Sequence, residues 1–410
     1  MRFSRRNFLQ YLGGVSLPAV SLSLPPSIKR RRYLRLDGDP SPAVFEAWIE
    51  IDLDRMSRNL ERLRNMVKRP VLAVIKANAY GHGLLEVGAF LDRAGIAGLM
   101  VCRLAEAVRL RESGVACPIY NFGPLLSGST ESLIRHRITP ILSDQGHEEL
   151  ARTAQRMGVR IQVHAHVDTG MHRVGIPEAR ALSILQELTH QESVELTGLS
   201  TTLTEDPEFD RRQLDRFQEI CKQTQERGGT GPVLRHAASS GGIFGHPDFF
   251  LDLVRPGIVL YGGYPNAATR KEDRLKLEPV LSFKTRVAEV KTLNPGDGVS
   301  YHRAYRAARK ERIAVLPVGY SDGYPPRVAG GGHVLIGGLP CPIIASITAN
   351  HMEVRLPRGL SVSVGDEAVL IGTQGRDSVT ADDVAEWAEA SNYRILIGMN
   401  PRLPRVVAAS

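Results

Sequence analysis

Short apolar runs alternate with amphipathic stretches over residues 43–276. Helix-like segments such as Leu104–Ser113 and Asp210–Arg227 lie between most of these runs. The runs predict eight strands: Val71–Lys76, Ala97–Cys102, Pro118–Phe122, Ile138–Leu142, Ile161–Val167, Leu196–Thr201, Val233–His236 and Leu253–Tyr261. Strands alternating with helices favour a closed parallel (β/α)8 barrel of the TIM type, and an open doubly wound sheet is the structural alternative.

The pattern changes after residue 276. Few stretches have helical periodicity, and Gly, Pro, Asp and Asn separate runs that resemble strands. These runs are Leu281–Thr292, Arg312–Val318, His333–Ile336, Cys341–Ile347, Met352–Leu356 and Glu367–Ile371. The one clear helix is Thr380–Ala390, where Thr380 and Asp383 have the spacing of a capping box. We therefore expect a mainly antiparallel β domain over residues 277–410, so that the chain is α/β with the barrel first.

Residues 1–42 form a basic leader and a Pro-rich linker. Eight of the 52 Lys and Arg residues lie in the first 36 positions, and the remaining 44 equal the 44 acidic residues. The net charge of +8 therefore belongs to the leader, and the rest of the chain carries no nucleic-acid footprint. Ser4–Gln10 resembles a bacterial twin-arginine signal, which predicts an exported or periplasmic protein; a chance basic N-terminus is the alternative. No apolar run reaches the roughly 18 residues of a transmembrane domain.

Lys76 is the most unusual residue of the predicted barrel. It ends the apolar run Val71–Lys76, and an ammonium is rarely tolerated in a core unless it is paired or uncharged. An uncharged lysine amine is a nucleophile that can form a Schiff base, and barrel active sites lie at the C-terminal ends of the strands. The alternative is a lysine that extends from the strand end into solvent.

A second group of residues follows the last two predicted barrel strands. Ser239-Ser240-Gly241-Gly242 and Arg255-Pro256-Gly257-Ile258 are placed where barrels commonly bind phosphate through free backbone N–H groups. An ordinary loop is the alternative for the first segment. A lysine and a phosphate site in one barrel suit pyridoxal 5′-phosphate (PLP), which needs an imine-forming lysine, a phosphate anchor and a partner for its pyridine nitrogen.

A metal-dependent hydrolase is the alternative from another class. His164, His166 and Asp168 alternate along one predicted strand and therefore share one face, where two imidazoles are able to hold Zn²⁺. Such a site needs ligands from other strands, and His236 is the only further histidine at a strand end. The alternative interpretation is that these histidines line the barrel core. We therefore expect no metal ion.

Several segments carry a resemblance to a known family. Ala73–Gly83 looks like the PLP-lysine signature of alanine racemases, and the similarity continues through Val167–Arg173, Arg255–Gly262, Val299–Tyr301 and Gly319–Gly323. The resemblance implies a PLP barrel followed by a β domain, an activity that interconverts L- and D-alanine, and a head-to-tail homodimer. Its active sites would combine residues of both subunits around a small amino-acid substrate.

The resemblance also implies a role for individual residues. Lys76 would carry PLP and act as one of two bases, and Tyr301 from the partner would be the base on the opposite face of the substrate. Arg255 would bond the pyridine nitrogen, while Arg173 would orient Tyr301 and Tyr320 would line the entrance. The residues implied to hold the phosphate are Tyr80, Ser240, Gly257, Ile258 and Tyr393.

The chain departs from the family pattern at three places. His166 stands where many members have a carbamylated lysine, Thr201-Thr202 replaces a barrel histidine, and Thr348-Ala349-Asn350 replaces Cys-Met-Asp. The substitution at Ala349 enlarges the implied substrate pocket, and Asn350 removes a charge from it. Both changes fit a periplasmic racemase of broad specificity, and an inactive homologue is a further alternative. A PLP-carrier protein is disfavoured because it would lack the β domain.

Overall fold

The computed structural model describes residues 45–227 and 233–408, so the predicted leader and linker lie outside the described residues. Strand β1 (Ala47–Ile51) leads into helix α1 (Leu53–Val67). Asp52 caps this helix by accepting a 2.9 Å hydrogen bond from the backbone N–H of Arg55. The buried apolar side chains of α1 recur every three or four residues, so one face of the helix packs on the core.

Seven parallel strands form the wall of the barrel in the order β2-β3-β4-β5-β6-β8-β9, and the short β7 pairs with β6. Their bounds are β2 Leu72–Val74, β3 Gly98–Val101, β4 Ile119–Asn121, β5 Ile138–Leu142, β6 Ile161–Asp168, β7 Ile176–Pro177, β8 Val194–Ser200 and β9 Leu234–His236. This arrangement confirms the predicted barrel class.

The eighth barrel position is a short bridge, so the predicted strand Leu253–Tyr261 is wrong. Val254 forms a parallel bridge with Val71, and the backbone N–H of Arg255 donates to the carbonyl of Ala238 at 2.8 Å. Residues 254–255 therefore bond to both edges of the wall and close it. Pro256 has no N–H to continue the pairing, and the chain then enters a 3-10 helix at Ile258–Tyr261.

Helices follow the barrel strands and bury their apolar faces against the wall. Their bounds are α2 Leu84–Arg93, α3 Leu104–Glu112, α4 Ser129–Arg135, α5 His147–Arg156, α6 Glu178–His190, α7 Pro207–Glu226, α8 Ser240–Phe244 and α9 Ala267–Glu272. In α7, for example, Asp206 caps the N-terminus, and Leu214, Phe217 and Ile220 are buried along one face.

The second domain consists mainly of antiparallel strands, as predicted. Its largest sheet has the order β16-β15-β18-β10-β1-β20, with β19 paired to β18; β11-β14-β17 and β12-β13 form smaller sheets. The bounds are β10 Leu281–Arg286, β11 Glu289–Leu293, β12 Gly298–Val299, β13 Tyr305–Arg306, β14 Glu311–Leu316, β15 His333–Ile336, β16 Leu339–Pro342, β17 Met352–Arg355, β18 Glu367–Gln374, β19 Asp377–Val379 and β20 Arg405–Val407. This domain also contains three-ten helices at Tyr301–Arg303, Tyr320–Asp322 and Pro326–Val328, and a further one, Pro247–Phe250, lies in the barrel part of the chain.

Strand β1 belongs to this second sheet, although the sequence assigned residues 43–276 to the barrel. It pairs antiparallel with β10 and parallel with β20, so the first and last described strands are neighbours. A strand of five residues, four of them apolar, has no pattern that distinguishes a barrel strand from a strand of the other sheet. One apolar core extends from the barrel into this sheet and packs the two domains together.

The predicted helix Thr380–Ala390 is shorter than expected and is followed by a second one. Helix α10 spans Ala381–Trp387, and its capping box forms as predicted: Thr380 Oγ1 accepts from the N–H of Asp383 at 3.1 Å. Helix α11 (Asn392–Gly398) follows, and Asn392 donates to the carbonyl of Tyr264 at 2.9 Å. This bond ties α11 to the segment after the barrel. Within residues 45–227 and 233–408, no helix is long and apolar enough to cross a membrane.

Candidate active site

Lys76 lies two residues beyond the end of the first barrel strand and begins an unusual turn. The predicted strand Val71–Lys76 ends at Val74, and Lys76–Tyr80 forms a helical turn in which Ala77–Tyr80 all have φ between 53° and 55°. The turn is therefore left-handed, which costs about 1–2 kcal/mol for each residue with a Cβ. Such strain persists only where the surrounding structure enforces it, and it is common at functional sites.

Lys76 is half-buried at the C-terminal mouth of the barrel. In the part of the chain that the structure describes, no hydrogen bond or ion pair engages its amine. The positive charges of Lys76 and Arg173 both act on the half-buried thiol of Cys102, opposing the burial that raises its pKa. Lys76, Cys102 and Arg173 therefore lie around the same mouth, and the Lys76 amine is available for reaction.

Small and aromatic residues form a cradle beside this turn. Ser240 Oγ accepts a 2.9 Å hydrogen bond from the N–H of Gly257, and a Cβ added to Gly257 would lie only 2.4 Å from the Tyr80 hydroxyl. The Tyr80 and Tyr393 rings are 6.0 Å apart, and burial raises the pKa of both hydroxyls, so both remain donors at neutral pH. Ile258 begins the adjacent 3-10 helix, and the first N–H groups of a helix have no partner within it.

Two aromatic residues that the sequence did not single out support the Tyr80 ring. Tyr261 stacks on Tyr80 at a centroid distance of 5.0 Å and an angle of 28°, and its hydroxyl donates to the carbonyl of Val74 at 3.2 Å. The ring of His82 lies 4.5 Å from Tyr261 and bonds the Tyr80 carbonyl through Nδ1 at 2.9 Å. Burial lowers the pKa of His82 to about 4, so the ring is neutral at physiological pH.

Arg255 is a buried cation held by neutral acceptors. Its guanidinium donates to Nδ1 of His236 at 2.7 Å and to the carbonyls of Thr201, His236 and Ala237 at 2.6–3.1 Å. Among the described residues no carboxylate pairs with it. Burial lowers the Arg255 pKa to about 10, so the group stays charged at neutral pH. Arg255 can therefore present a permanent N–H donor to a neutral acceptor.

A chain of histidines extends from Arg255 into the barrel. Guanidinium only donates, so Nδ1 of His236 must accept and its proton must be on Nε2. That proton is donated to Nδ1 of His164, 2.9 Å away, and both rings are neutral because burial lowers their pKa values. No sequence pattern relates these residues, because each lies on a different strand or loop.

The same bonds remove support for the metal-dependent hydrolase. His164 is engaged with His236, and Nδ1 of His166 lies 2.8 Å from Ser200 Oγ. Across the two described ranges, no three His, Cys, Asp or Glu side chains are arranged to hold a metal ion. The histidines of β6 are therefore satisfied residues of the barrel interior.

His166 brings no anion to the side of the site that carries Arg173. Burial and the charges of Arg255 and Arg173 lower the pKa of His166 well below its ordinary value, so the ring is neutral. The His166 ring packs against Gly175, which lies in the loop after β6. A Cβ added to Gly175 would lie 3.1 Å from His166 Cδ2. Arg173 itself is exposed and forms no ion pair within the described chain.

The remaining predicted site residues lie on the second domain. Tyr320 and Ala349 share one corner, because the N–H of Tyr320 donates to the carbonyl of Thr348 at 3.0 Å, and Asn350 donates to Ser321 Oγ at 2.7 Å. The side chain of Tyr301 is 75% exposed on the 3-10 helix Tyr301–Arg303, so it does not pack on the barrel mouth of its own chain. One chain thus brings together the barrel residues of the predicted site and Tyr393, whereas Tyr301 and Tyr320 stay exposed at the surface.

A closed barrel with a lysine at its mouth, a cradle of hydroxyl and backbone N–H groups beside it and a buried arginine is typical of a PLP-binding enzyme of the barrel type. The chain matches the model of the alanine racemase N-terminal domain over residues 51–265 and that of the C-terminal domain over residues 280–407. It therefore belongs to the alanine racemase family, an isomerase family that depends on PLP.

Individual relatives agree with this family over most of their length. The alanine racemase of Symbiobacterium thermophilum is 38% identical over 364 residues, which cover 87% of this chain and 96% of that protein. The alanine racemase structure of Clostridium difficile 630 has a TM-score of 0.83 at 31% identity, covering 89% of this chain and 96% of that one. The Bacillus anthracis alanine racemase with bound L-Ala-P has a TM-score of 0.82 at 31% identity, covering 90% and 96%.

The residues present fit PLP, the cofactor of this chain. The close approach of the Tyr80 hydroxyl to Gly257 leaves no room for a Cβ there, as expected where backbone and hydroxyl donors meet a phosphate. Arg255 offers a charged donor without a carboxylate partner in the described chain, and a pyridine nitrogen is a neutral acceptor. The Lys76 amine would supply the imine-forming group that PLP requires.

Proposed function

We propose that this chain interconverts L- and D-alanine. The observation that carries the proposal is the half-buried residue Lys76, whose amine is unpaired within the described residues and which lies beside a cradle that fits PLP. The chain belongs to the alanine racemase family, and relatives of nearly equal length carry that name. Alanine is therefore the first substrate to test.

Racemisation requires a proton to leave Cα on one face and to return on the other, and a base on each face is the simplest arrangement. Lys76 Nζ acts on one face, and the hydroxyl of Tyr301 of the partner subunit acts on the other. When bound, PLP supplies an electron sink for the negative charge that develops at Cα. Arg255 holds the pyridine nitrogen as an acceptor, because guanidinium does not give up its proton.

A head-to-tail homodimer supplies the second base. Tyr301 is 75% exposed and Tyr320 is 54% exposed, and large aromatic side chains on a surface favour an interface. In its own chain the Tyr301 side chain does not pack on the barrel site. A shared site accounts for both observations.

Mixing two inactive variants tests the shared site. Lys76→Ala and Tyr301→Phe chains are unfolded together and refolded as a mixture. A mixed dimer has one site with both native residues, so up to about a quarter of wild-type activity should return. Activity that stays absent in a mixture shown to contain mixed dimers contradicts the shared site.

A broader substrate range is a second proposal, favoured by the corner at Ala349 and Asn350. Ala349 is half-buried with a small side chain, and the uncharged amide of Asn350 bonds Ser321. A pocket bounded by a methyl group and a neutral amide accommodates side chains longer than that of alanine. Racemisation rates over a panel of aliphatic and basic amino acids test this range, and activity on alanine alone contradicts it.

Export through the twin-arginine pathway is also proposed, on the motif Ser4–Gln10. The full chain should accumulate in the periplasmic fraction of a bacterial host, and a variant with both Arg5→Lys and Arg6→Lys should remain in the cytoplasm. Equal distribution of the two proteins contradicts the assignment.

Single enantiomers test the activity itself. Purified protein loaded with PLP is incubated with L-alanine and, separately, with D-alanine, and the two enantiomers are separated over time. Both reactions should approach equal amounts of the two forms, whereas Lys76→Ala should leave each enantiomer unchanged. A PLP-loaded protein that leaves alanine unchanged refutes the proposal for this substrate.

A further inference from the structure

The left-handed turn that begins at Lys76 needs support from outside the turn. Ala77–Tyr80 hold positive φ although none of them is glycine. The side chain of Lys76 has no hydrogen bond or ion pair to fix it within the described residues. The backbone of this turn therefore sets the point and direction from which the Lys76 side chain extends.

Asn78, at the centre of the turn, is held by several hydrogen bonds. Its side-chain Oδ1 accepts from the N–H of Leu84 at 2.9 Å, and its carbonyl accepts from the N–H of Gly83 at 3.0 Å. These bonds stay within one segment of chain. The N–H of Asn78 instead donates to Oε1 of Glu106 at 2.8 Å, and Glu106 lies on α3 after the next barrel strand.

Glu106 is placed as an acceptor for this turn. It is half-buried, and its second oxygen, Oε2, is buried without a hydrogen-bond partner. Burial raises the pKa of the Glu106 carboxyl, while hydrogen bonds from the N–H groups of Asn78 and Ala77 and the nearby charge of Arg103 oppose that rise. A carboxylate that is shielded from solvent and accepts a hydrogen bond from a backbone N–H group holds that backbone firmly in place.

We propose that Glu106 is a positioning residue that holds the left-handed turn and thereby aims the Lys76 amine at the cofactor. The inference rests on the proposed role of Lys76 as the residue that carries PLP. In the step concerned, Lys76 Nζ forms a C=N bond with the aldehyde carbon of PLP and water leaves. Glu106 takes no part in that bond, and acts only through the N–H of Asn78.

Two measurements on the full-length protein test this role. The first is the rate at which added PLP becomes attached to Lys76, trapped at intervals with borohydride and measured by peptide mass. The second is amide hydrogen exchange of peptides that cover residues 76–80, which does not depend on PLP. Glu112→Ala is the matched control, because Glu112 is exposed on the same helix α3.

Glu106→Ala should slow attachment at least about tenfold and speed exchange in the turn, because a charge-assisted hydrogen bond is lost. Glu106→Gln keeps an acceptor oxygen and should recover most of both properties, and Glu112→Ala should match wild type. Unchanged attachment or unchanged exchange in Glu106→Ala overturns the proposal, and so does a Glu106→Gln protein as impaired as Glu106→Ala.

Glu106→Asp carries the same test if Glu106→Ala fails to fold. It keeps the charge but withdraws the carboxylate by one methylene group, so attachment should again be slow, and a wild-type rate overturns the proposal. If the wild-type protein itself never attaches PLP at Lys76, the proposed function fails. The exchange measurement then still decides whether Glu106 holds the turn.

Discussion

Gly257→Ala is a direct test of the phosphate cradle. The added Cβ would lie 2.4 Å from the Tyr80 hydroxyl oxygen and 3.0 Å from Cζ of the same ring, whereas carbon contacts normally begin at about 3.5 Å. The hydroxyl must therefore retreat by about 1 Å. Tyr261 is stacked on the Tyr80 ring, so movement of that ring disturbs a packed neighbour.

The magnitude follows from the hydrogen bond that Tyr80 would give to the phosphate. A hydrogen bond to a charged group contributes about 1.5–3 kcal/mol, so its loss should weaken PLP binding about 10- to 150-fold. Overpacking in the absence of PLP should also cost about 1–3 kcal/mol of stability. The Gly257→Ala protein should therefore fold, bind PLP weakly and melt at a lower temperature than wild type.

The assay is a titration of PLP-free protein with PLP, followed by the visible absorbance of the bound cofactor. Gly331→Ala is the control, because a Cβ at Gly331 meets no atom within 4 Å, and it should bind PLP as wild type does. Wild-type PLP affinity in Gly257→Ala refutes the assignment of this cradle to the phosphate.

Three further results are expected. Tyr301→Phe should slow exchange of the Cα proton from one alanine enantiomer more than from the other, measured by solvent deuterium incorporation; equal slowing contradicts two separate bases. Ala349→Met should narrow the racemisation profile toward alanine, and an unchanged profile over the amino-acid panel contradicts the pocket argument. Burial lowers the pKa of His82 from 6.5 to about 4, so the unfolded chain takes up the proton first as pH falls. The free energy of unfolding should therefore fall by about 3 kcal/mol as the pH is lowered from 6.5 to 4. Thermal unfolding at pH 7 and pH 5 should show a smaller loss of stability in His82→Phe than in wild type. An equal loss in the two proteins contradicts this role of His82.

The alternation of apolar runs and helical stretches was sufficient to predict the barrel and the β domain. It failed where the backbone changes direction inside an apolar run. Nothing in Ala77–Tyr80 indicates a left-handed turn, because none of these residues is glycine, and propensity favours a right-handed helix for them. Pro256 does indicate that strand pairing ends near residue 255. The apolar residues after it form a 3-10 helix, although their pattern is also typical of a strand.

The candidate site was predictable where its residues are neighbours in sequence or carry a family motif. Lys76 and Tyr80 share one signature, and the structure places Tyr80 against Gly257 from another motif. The supporting residues were not predictable, because their roles arise from contacts between distant segments. In the sequence, Glu106 has the pattern of an ordinary polar residue of a helix. Only the fold brings its carboxylate to the N–H of Asn78.

Trapping of bound PLP with borohydride shows whether Lys76 is the residue that carries the cofactor. The PLP-loaded protein is reduced with borohydride, digested, and mapped by peptide mass alongside Lys76→Ala. We expect a pyridoxyl group on the peptide that contains Lys76 and none on the corresponding peptide of the variant. A label on a different lysine, or no label on a protein that retains PLP, contradicts this role of Lys76.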